Sequence, residues 1–197
     1  ITFTNVFAHI ENLQNLLEAV KLLMSEETLL VIENHYLGSI LEAKQFDTFY
    51  HEHPRTYSAT SFKYIAEALG VSIENIEFPA RYGGNIRVFL SKKGDDKQAD
   101  IPPEESLFPD KFADLQRVYD QWLVDSEVVL KELRKNGVLI GKGLPGRAVM
   151  LISSLGLAAD SMPFVYEQPR SPKVGHFVPG TTVVVASDDE LPRNPDQ

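Results

Sequence analysis

Apolar positions along the chain change their period several times, and each change predicts an element. Residues 1–7 are β-branched and aromatic, which predicts a strand. Over 11–24, Leu13, Leu16, Leu17, Val20 and Leu23 fall at helical spacing. Residues 28–32 form a near-continuous apolar run, as in a parallel strand buried on both faces. A short helix is expected over 37–44. Residues 50–58 follow neither period and read as a loop. Ser61 is the expected N-cap of a helix carrying Phe62, Ile65, Ala66 and Leu69, with Gly70 as its stop. Residues 71–78 and 85–91, separated by a Tyr82-Gly-Gly84 turn, predict an antiparallel edge pair.

Charge and proline then interrupt the pattern over 92–109, with Lys-Lys-Gly-Asp-Asp, Pro102-Pro103 and Pro109, which reads as a linker. The domain boundary is expected near residue 96, giving units 1–95 and 96–197. Over 112–136, Leu115, Val118, Trp122, Val129 and Leu133 share roughly one face of a long amphipathic helix stopped at Gly137. Strand, glycine loop and helix follow over 138–157, and 164–166 and 182–186 supply further strands. The fold class is α/β: a Rossmann-like sheet in the first unit and a small Rossmann-like α/β unit after it.

Composition narrows the classes. The 197 residues carry a formal charge of -9, which argues against a nucleic-acid partner, since phosphate backbones are held by clustered Lys and Arg. No apolar run approaches a membrane span, so no membrane partner is expected. The chain has no cysteine, which removes disulfides and thiolate metal sites and makes the cytoplasm the default compartment. The first residues lack the pattern of a signal peptide and read as a chain entered in mid-fold.

The densest cluster of proton-transfer groups is Tyr50-His-Glu-His53, followed by Pro54 and Arg55. A histidine oriented by a glutamate can remove a proton beside a carbonyl, and a phenol can stabilise the oxygen that gains charge. A surface or structurally bonded histidine cluster is the alternative. A metal site would need more ligands than His51 and His53, with His9 and His35 brought in by folding, and none is assigned. Asn5 and His9 stand at the expected C-terminal end of the first strand, where open α/β sheets bind ligands. Equally, Asn5 could end the strand and His9 cap the next helix. The Gly141-Lys-Gly-Leu-Pro-Gly-Arg147 loop has the glycines and cations of a phosphate cradle, or of an ordinary tight turn. The loop 173–181 at least connects two strands.

Five segments, in order, carry a resemblance: Asn5-Val-Phe-Ala-His-Ile10, Gln45-Phe-Asp-Thr-Phe-Tyr-His-Glu-His53, Gly83-Gly-Asn-Ile-Arg-Val-Phe89, the glycine loop from Gly141, and Gly175-His-Phe-Val-Pro-Gly-Thr181. Together they resemble the sugar C-methyltransferases of deoxysugar biosynthesis, with Tyr-His-Glu-His the most specific. The resemblance implies that His53, Glu52, Tyr50 and His9 are catalytic. It places Asn5 and Phe7 on the side of the cofactor S-adenosylmethionine, and Arg55, Gly141, Lys142, Gly143, Arg147 and Lys173 on that of a small-molecule substrate, a nucleotide-sugar. It also implies that the donor loop and a zinc-binding segment lie in an N-terminal methyltransferase half outside this sequence, so that the chain alone binds donor poorly and its open sheet edge favours self-association. Pro54-Arg55 replaces residues that are usually apolar and small, and Lys142 and Arg147 sit in a loop that is usually Gly-Tyr-Gly-Ala, which leaves the acceptor open. The alternative is a non-catalytic module that binds a nucleotide-sugar or another phosphate ligand.

Overall fold

The protein is described by a computed structural model covering residues 1–94 and 100–191. The described chain divides into two compact units, residues 1–116 and 117–197. The boundary expected near residue 96 lies outside the described residues.

The first unit is a mixed α/β sheet whose strand order is β1 (Thr2–Thr4), β2 (Leu30–His35), β4 (Asn85–Ser91), β3 (Ser72–Glu77). β1 and β2 are parallel and joined through α1 (Leu13–Leu23), whereas β4 runs antiparallel to both β2 and β3. The Tyr82-Gly-Gly turn therefore closes a real antiparallel pair, with β4 inside the sheet and β3 at its edge. Alternation along β2 sorts its side chains by face. Leu30 and Ile32 meet Ile86, Val88 and Leu90 of β4 beneath Leu17 and Val20 of α1 and Phe62, Ile65 and Leu69 of α3 (Ala59–Leu69), all of them buried in one core. Glu33 and His35 point to the opposite face, where they stand across from Arg87 and Asn85.

Two helix starts differ from expectation for a stated reason. Ser58, not Ser61, is the N-cap of α3; its hydroxyl accepts from the Ser61 amide while the Ser61 hydroxyl takes the Ser58 amide in return. That reciprocal box satisfies two otherwise orphaned amides and starts the helix a turn earlier. Asn12 caps α1 by accepting from the Asn15 amide at 3.1 Å, so His9 is not the cap and lies in a 3-10 turn over Phe7–His9. Gly70, in the left-handed region at φ 68°, ends α3 as expected. A short α2 (Leu37–Glu42) follows β2 directly.

The helix α4 (Phe108–Arg134) begins in the first unit and continues in the second. The second unit holds a parallel sheet of β5 (Gly141–Lys142), β6 (Phe164–Glu167) and β7 (Val184–Ser187), in that order, with α5 (Gly146–Ser154) between β5 and β6. Its core gathers Leu144, Ile152, Leu157, Met162, Val165, Val178, Val183 and Val185. Both units have the mixed helix and sheet layering of a Rossmann-like α/β fold. Among the described residues no helix is long and apolar enough to cross a membrane.

Candidate functional site

Three segments of the first unit converge beyond the C-terminal ends of β1 and β2, where parallel α/β sheets place their ligands. The turn after β1 brings His9, β2 ends on His35, and the loop before α3 brings Tyr50 to His53. That loop is fixed by its own turn, the His53 amide donating to the Tyr50 carbonyl at 2.9 Å. It is anchored to the β1 side twice: the Arg55 guanidinium donates to the Ile10 carbonyl, and the Tyr57 hydroxyl donates to the Phe7 carbonyl at 3.2 Å. Burial pushes the Tyr57 phenol up to about 12, against a smaller opposite pull from Arg55, so it remains a donor at neutral pH.

Within this frame the Tyr50 hydroxyl lies 3.3 Å from the Glu52 carboxylate and 3.3 Å from Nε2 of His53. One phenol thus bridges the acid and the imidazole, and His53 is half-buried while Glu52 remains exposed. The His9 ring meets the His53 ring edge to face at 4.7 Å between centroids. The His51 ring meets that of Tyr50 edge to face at 5.7 Å, and its Nε2 lies 3.9 Å from the Glu52 carboxylate. An imidazole touching a phenol, with a carboxylate on the other side of that phenol, can accept a proton and stabilise a developing oxyanion.

His35 joins this group. Its ring lies 6.0 Å from that of His53 and 6.4 Å from that of Tyr82. Sequence reasoning considered His35 only as a distant metal ligand and passed over Tyr82. The available signal was position, since His35 closes the strand that leads into the Tyr-His-Glu-His segment. Among the described residues no set of three or more His, Asp or Glu is placed to share one metal ion.

Behind His35 stands a charged network that sequence reasoning also missed. Glu33, 3 % exposed, accepts from Nε of Arg87 at 2.8 Å and from Nδ2 of Asn85 at 2.8 Å, with Nε of Arg81 at 3.5 Å. Burial alone would raise its pKa, but the hydrogen bonds from Asn85 and Arg87 and the charges of Arg87 and Arg81 outweigh it and hold the carboxyl below the usual range. Asn85 also donates to Oδ1 of Asn5 at 3.4 Å. Arg81 in turn stacks on the Tyr82 ring at 4.9 Å, and Tyr82 has a left-handed backbone at φ 55°.

The two residues assigned to the methyl donor fare differently. Asn5, half-buried at the end of β1 with φ 52°, accepts from the Asn85 side-chain amide at 3.4 Å. The Phe7 ring is fully buried and packs in the core between Phe3 and Tyr57. Of the two, Asn5 is the polar side chain, and it would supply a single contact to S-adenosylmethionine. A cavity of about 390 Å³ between α1 and α3 is lined by Leu13, Leu17, Arg55, Tyr57, Tyr64 and Ile65, and His9, Tyr50 and His53 are not among its walls.

In the second unit the glycine loop does open α5, as a phosphate cradle would. Its polar groups are engaged internally: Lys142 pairs with Asp188 at 2.6 Å, Lys173 donates to the Leu144 carbonyl, and the Leu144 amide donates to Glu167 at 3.0 Å. Gly141 is required by packing, because a Cβ there would stand 2.8 Å from the Val165 side chain. Gly143, at φ 76° with open space around it, supplies the turn, and its amide donates to the Tyr166 carbonyl at 2.7 Å. Arg147 is half-buried near the start of α5. The loop 173–181 pairs back onto β7, through the Gly175 amide to the Val185 carbonyl and the Val178 amide to the Val183 carbonyl.

Fold and site together define a Rossmann-like α/β protein with a phenol, imidazole and carboxylate cluster at the ligand end of its first sheet. The chain is similar to the C-methyltransferase NovU of Streptomyces niveus, 26% identical over 194 residues, an alignment that covers 93% of this chain and 46% of the relative. That similarity supports the relationship to the sugar C-methyltransferases that the ordered motifs imply. The chain spans about half the length of this relative. No family model matches the chain.

Proposed function

We propose that this chain supplies the proton-handling half of a C-methyltransferase that uses S-adenosylmethionine and acts on a keto nucleotide-sugar or a related ketone. The observation that carries the reading is the placement of His53, with the Tyr50 hydroxyl 3.3 Å from its Nε2 and from Glu52, at the ligand end of the sheet. In this reading His53 takes the proton from the carbon next to the ketone, and the electron pair of that C–H bond becomes an enolate. Tyr50 donates to the enolate oxygen, and Glu52 orients the phenol or accepts from a substrate hydroxyl. His9, edge-on to His53, fixes the plane of that ring. When bound, S-adenosylmethionine would supply an electrophilic methyl for the enolate carbon, its sulfur keeping the electron pair of the broken S–CH3 bond. Asn5 contacts the donor side and Arg55 the acceptor in the first unit; in the second unit, taken by itself, the Gly141 loop with Lys142, Arg147 and Lys173 is the candidate for binding a phosphate.

The test uses the chain within a polypeptide that also carries a donor-binding domain, supplied with methyl-labelled donor and a 4-keto nucleotide-sugar. Label should become bound to carbon, and His53→Ala should lower the rate by about 10²- to 10⁴-fold, the usual worth of a general base. Absence of transfer in the wild type, or equal rates in wild type and variant, rejects the proposal.

A further inference from the structure

Each methyl transferred to carbon in the proposed reaction releases one proton, and a base that has accepted it must lose it before the next turnover. His9 is exposed, but it meets His53 edge-on in the wall of the site. His35 lies on the other side, on a rigid strand, with its ring 6.0 Å from that of His53 at 78° between planes. Two imidazoles whose centres are that far apart leave room for one water to bridge a nitrogen of each. Beyond His35 comes Tyr82, 6.4 Å away and 63% exposed, so the row His53, His35, Tyr82 leads from the loop to solvent.

The surroundings of His35 are built to keep this row in place. Arg81 stacks on Tyr82 and donates to its hydroxyl at 3.4 Å, and it is itself held by buried Glu33. Tyr82 keeps a left-handed backbone, uncommon for a residue other than glycine and most often found where neighbours enforce it near a functional site. The charges that face His35 balance: Glu33 from its own strand, Arg87 opposite on β4 with its second partner Glu77 at 2.9 Å on β3, and Arg81 from the turn. The remaining facing group on β4, Asn85, is neutral and directly opposite His35. On the His53 side stand His9, Tyr50, Glu52, His51 and Arg55. A proton arriving on His35 therefore meets no net charge from Glu33, Glu77, Arg81 and Arg87.

Resting on the proposed proton abstraction, we infer that His35 is a second proton acceptor of the site: the proton taken from substrate carbon by His53 passes to His35 and leaves past Tyr82. The step balances, since His53 returns to its neutral form, His35 carries the proton in transit, and bulk water receives it.

The inference is tested on the chain itself by following its imidazole resonances against pH by nitrogen-15 NMR. In the wild type the signals of His53 and His35 should each move in two steps, because a proton on one ring disfavours a proton on the other. In His35→Gln the His53 signal should follow a single-site curve, with its midpoint displaced by about half a pH unit or more. The reciprocal His53→Gln should simplify the His35 curve in the same way. Identical His53 curves in wild type and His35→Gln, with an unaltered His35 curve in His53→Gln, overturn the inference. In the methyl-transfer assay, His35→Gln should slow turnover about tenfold, and added imidazole should restore it, which repair of a merely structural defect would not do. Wild-type protein that transfers no methyl but shows coupled titration would refute the proposed reaction while leaving the coupling of the two rings intact.

Discussion

Glu33 and Arg87 face each other across β2 and β4, carboxylate oxygen to guanidinium Nε at 2.8 Å, on a strand that ends two residues later at His35. A buried charge on a central strand is costly unless it is paired and hydrogen-bonded. Here it is both, with Asn85 completing the carboxylate and Glu77 taking the other end of Arg87. The network therefore ties the strand that carries His35 to the turn that carries Tyr82.

Glu33→Ala should destabilise the first unit by about 2–4 kcal/mol, because Asn85 and two arginines lose their shared acceptor. Because the folded carboxyl is held below its ordinary range, its contribution is present above the unfolded pKa and is lost as pH falls through the folded value. Urea unfolding of the wild type should thus weaken from about pH 5 downward, and Glu33→Gln should be less stable at pH 7 with a flatter acid limb. Parallel acid limbs in the two proteins would contradict this assignment.

A second carboxylate works as a remote helix cap. Glu105, 9% exposed in the 3-10 turn Pro103–Leu107, accepts from the Ala59 amide at 2.7 Å, the Thr60 amide at 2.9 Å and the Tyr36 hydroxyl at 3.1 Å. It places negative charge on two orphan amides at the positive end of α3. Glu105→Ala should cost about 2–3 kcal/mol by denaturant unfolding, and hydrogen exchange at Ala59 and Thr60 should accelerate. Glu104→Ala, one residue away and exposed, should change neither.

How much of this was legible follows from what kind of contact each residue makes. The strand, helix and turn order was visible because periodicity reports burial, and the Leu30, Ile32 and Phe62 core is a periodic feature. Tyr50, Glu52 and His53 were visible because their partners are two or three residues away. Glu105 reaches 46 residues back to Ala59, and Glu33 reaches 52 and 54 residues forward to Asn85 and Arg87. Pairings at that range depend on sheet order, which no local pattern encodes. Phe7 shows the same limit from the other side: its place in the Asn5-to-Ile10 motif implied a ligand contact, while its ring packs against Phe3 and Tyr57, the latter a long-range contact the motif does not encode.

Gly84 offers a steric test of the turn under Tyr82. Its φ of 118° is accessible to glycine, and a Cβ there would lie 2.3 Å from Oγ and 2.5 Å from Cβ of Ser39 in α2. Its carbonyl also accepts the Tyr36 amide at 3.1 Å. Gly84→Ala should therefore lower stability by about 2 kcal/mol or more and displace Tyr82 from His35, seen as loss of the ring-current shift on the His35 protons. Gly70→Ala, which meets no atom within 4 Å, should show only the backbone cost of about 1 kcal/mol.

Tyr50→Phe separates chemistry from architecture at the proposed site. The hydroxyl reaches both Glu52 and His53, each at 3.3 Å, whereas the ring packs against His53 at 4.5 Å between centroids. Phenylalanine keeps the ring and removes the bridge. Unfolding free energy should change by less than about 1 kcal/mol, because the hydroxyl's bonds are long and Glu52 is open to solvent. Turnover should fall by about 10- to 100-fold with little change in KM, as expected for an interaction strengthened at the enolate rather than in the bound ketone. Equal losses in kcat/KM through KM alone would place Tyr50 in substrate binding and remove it from the proton-transfer step.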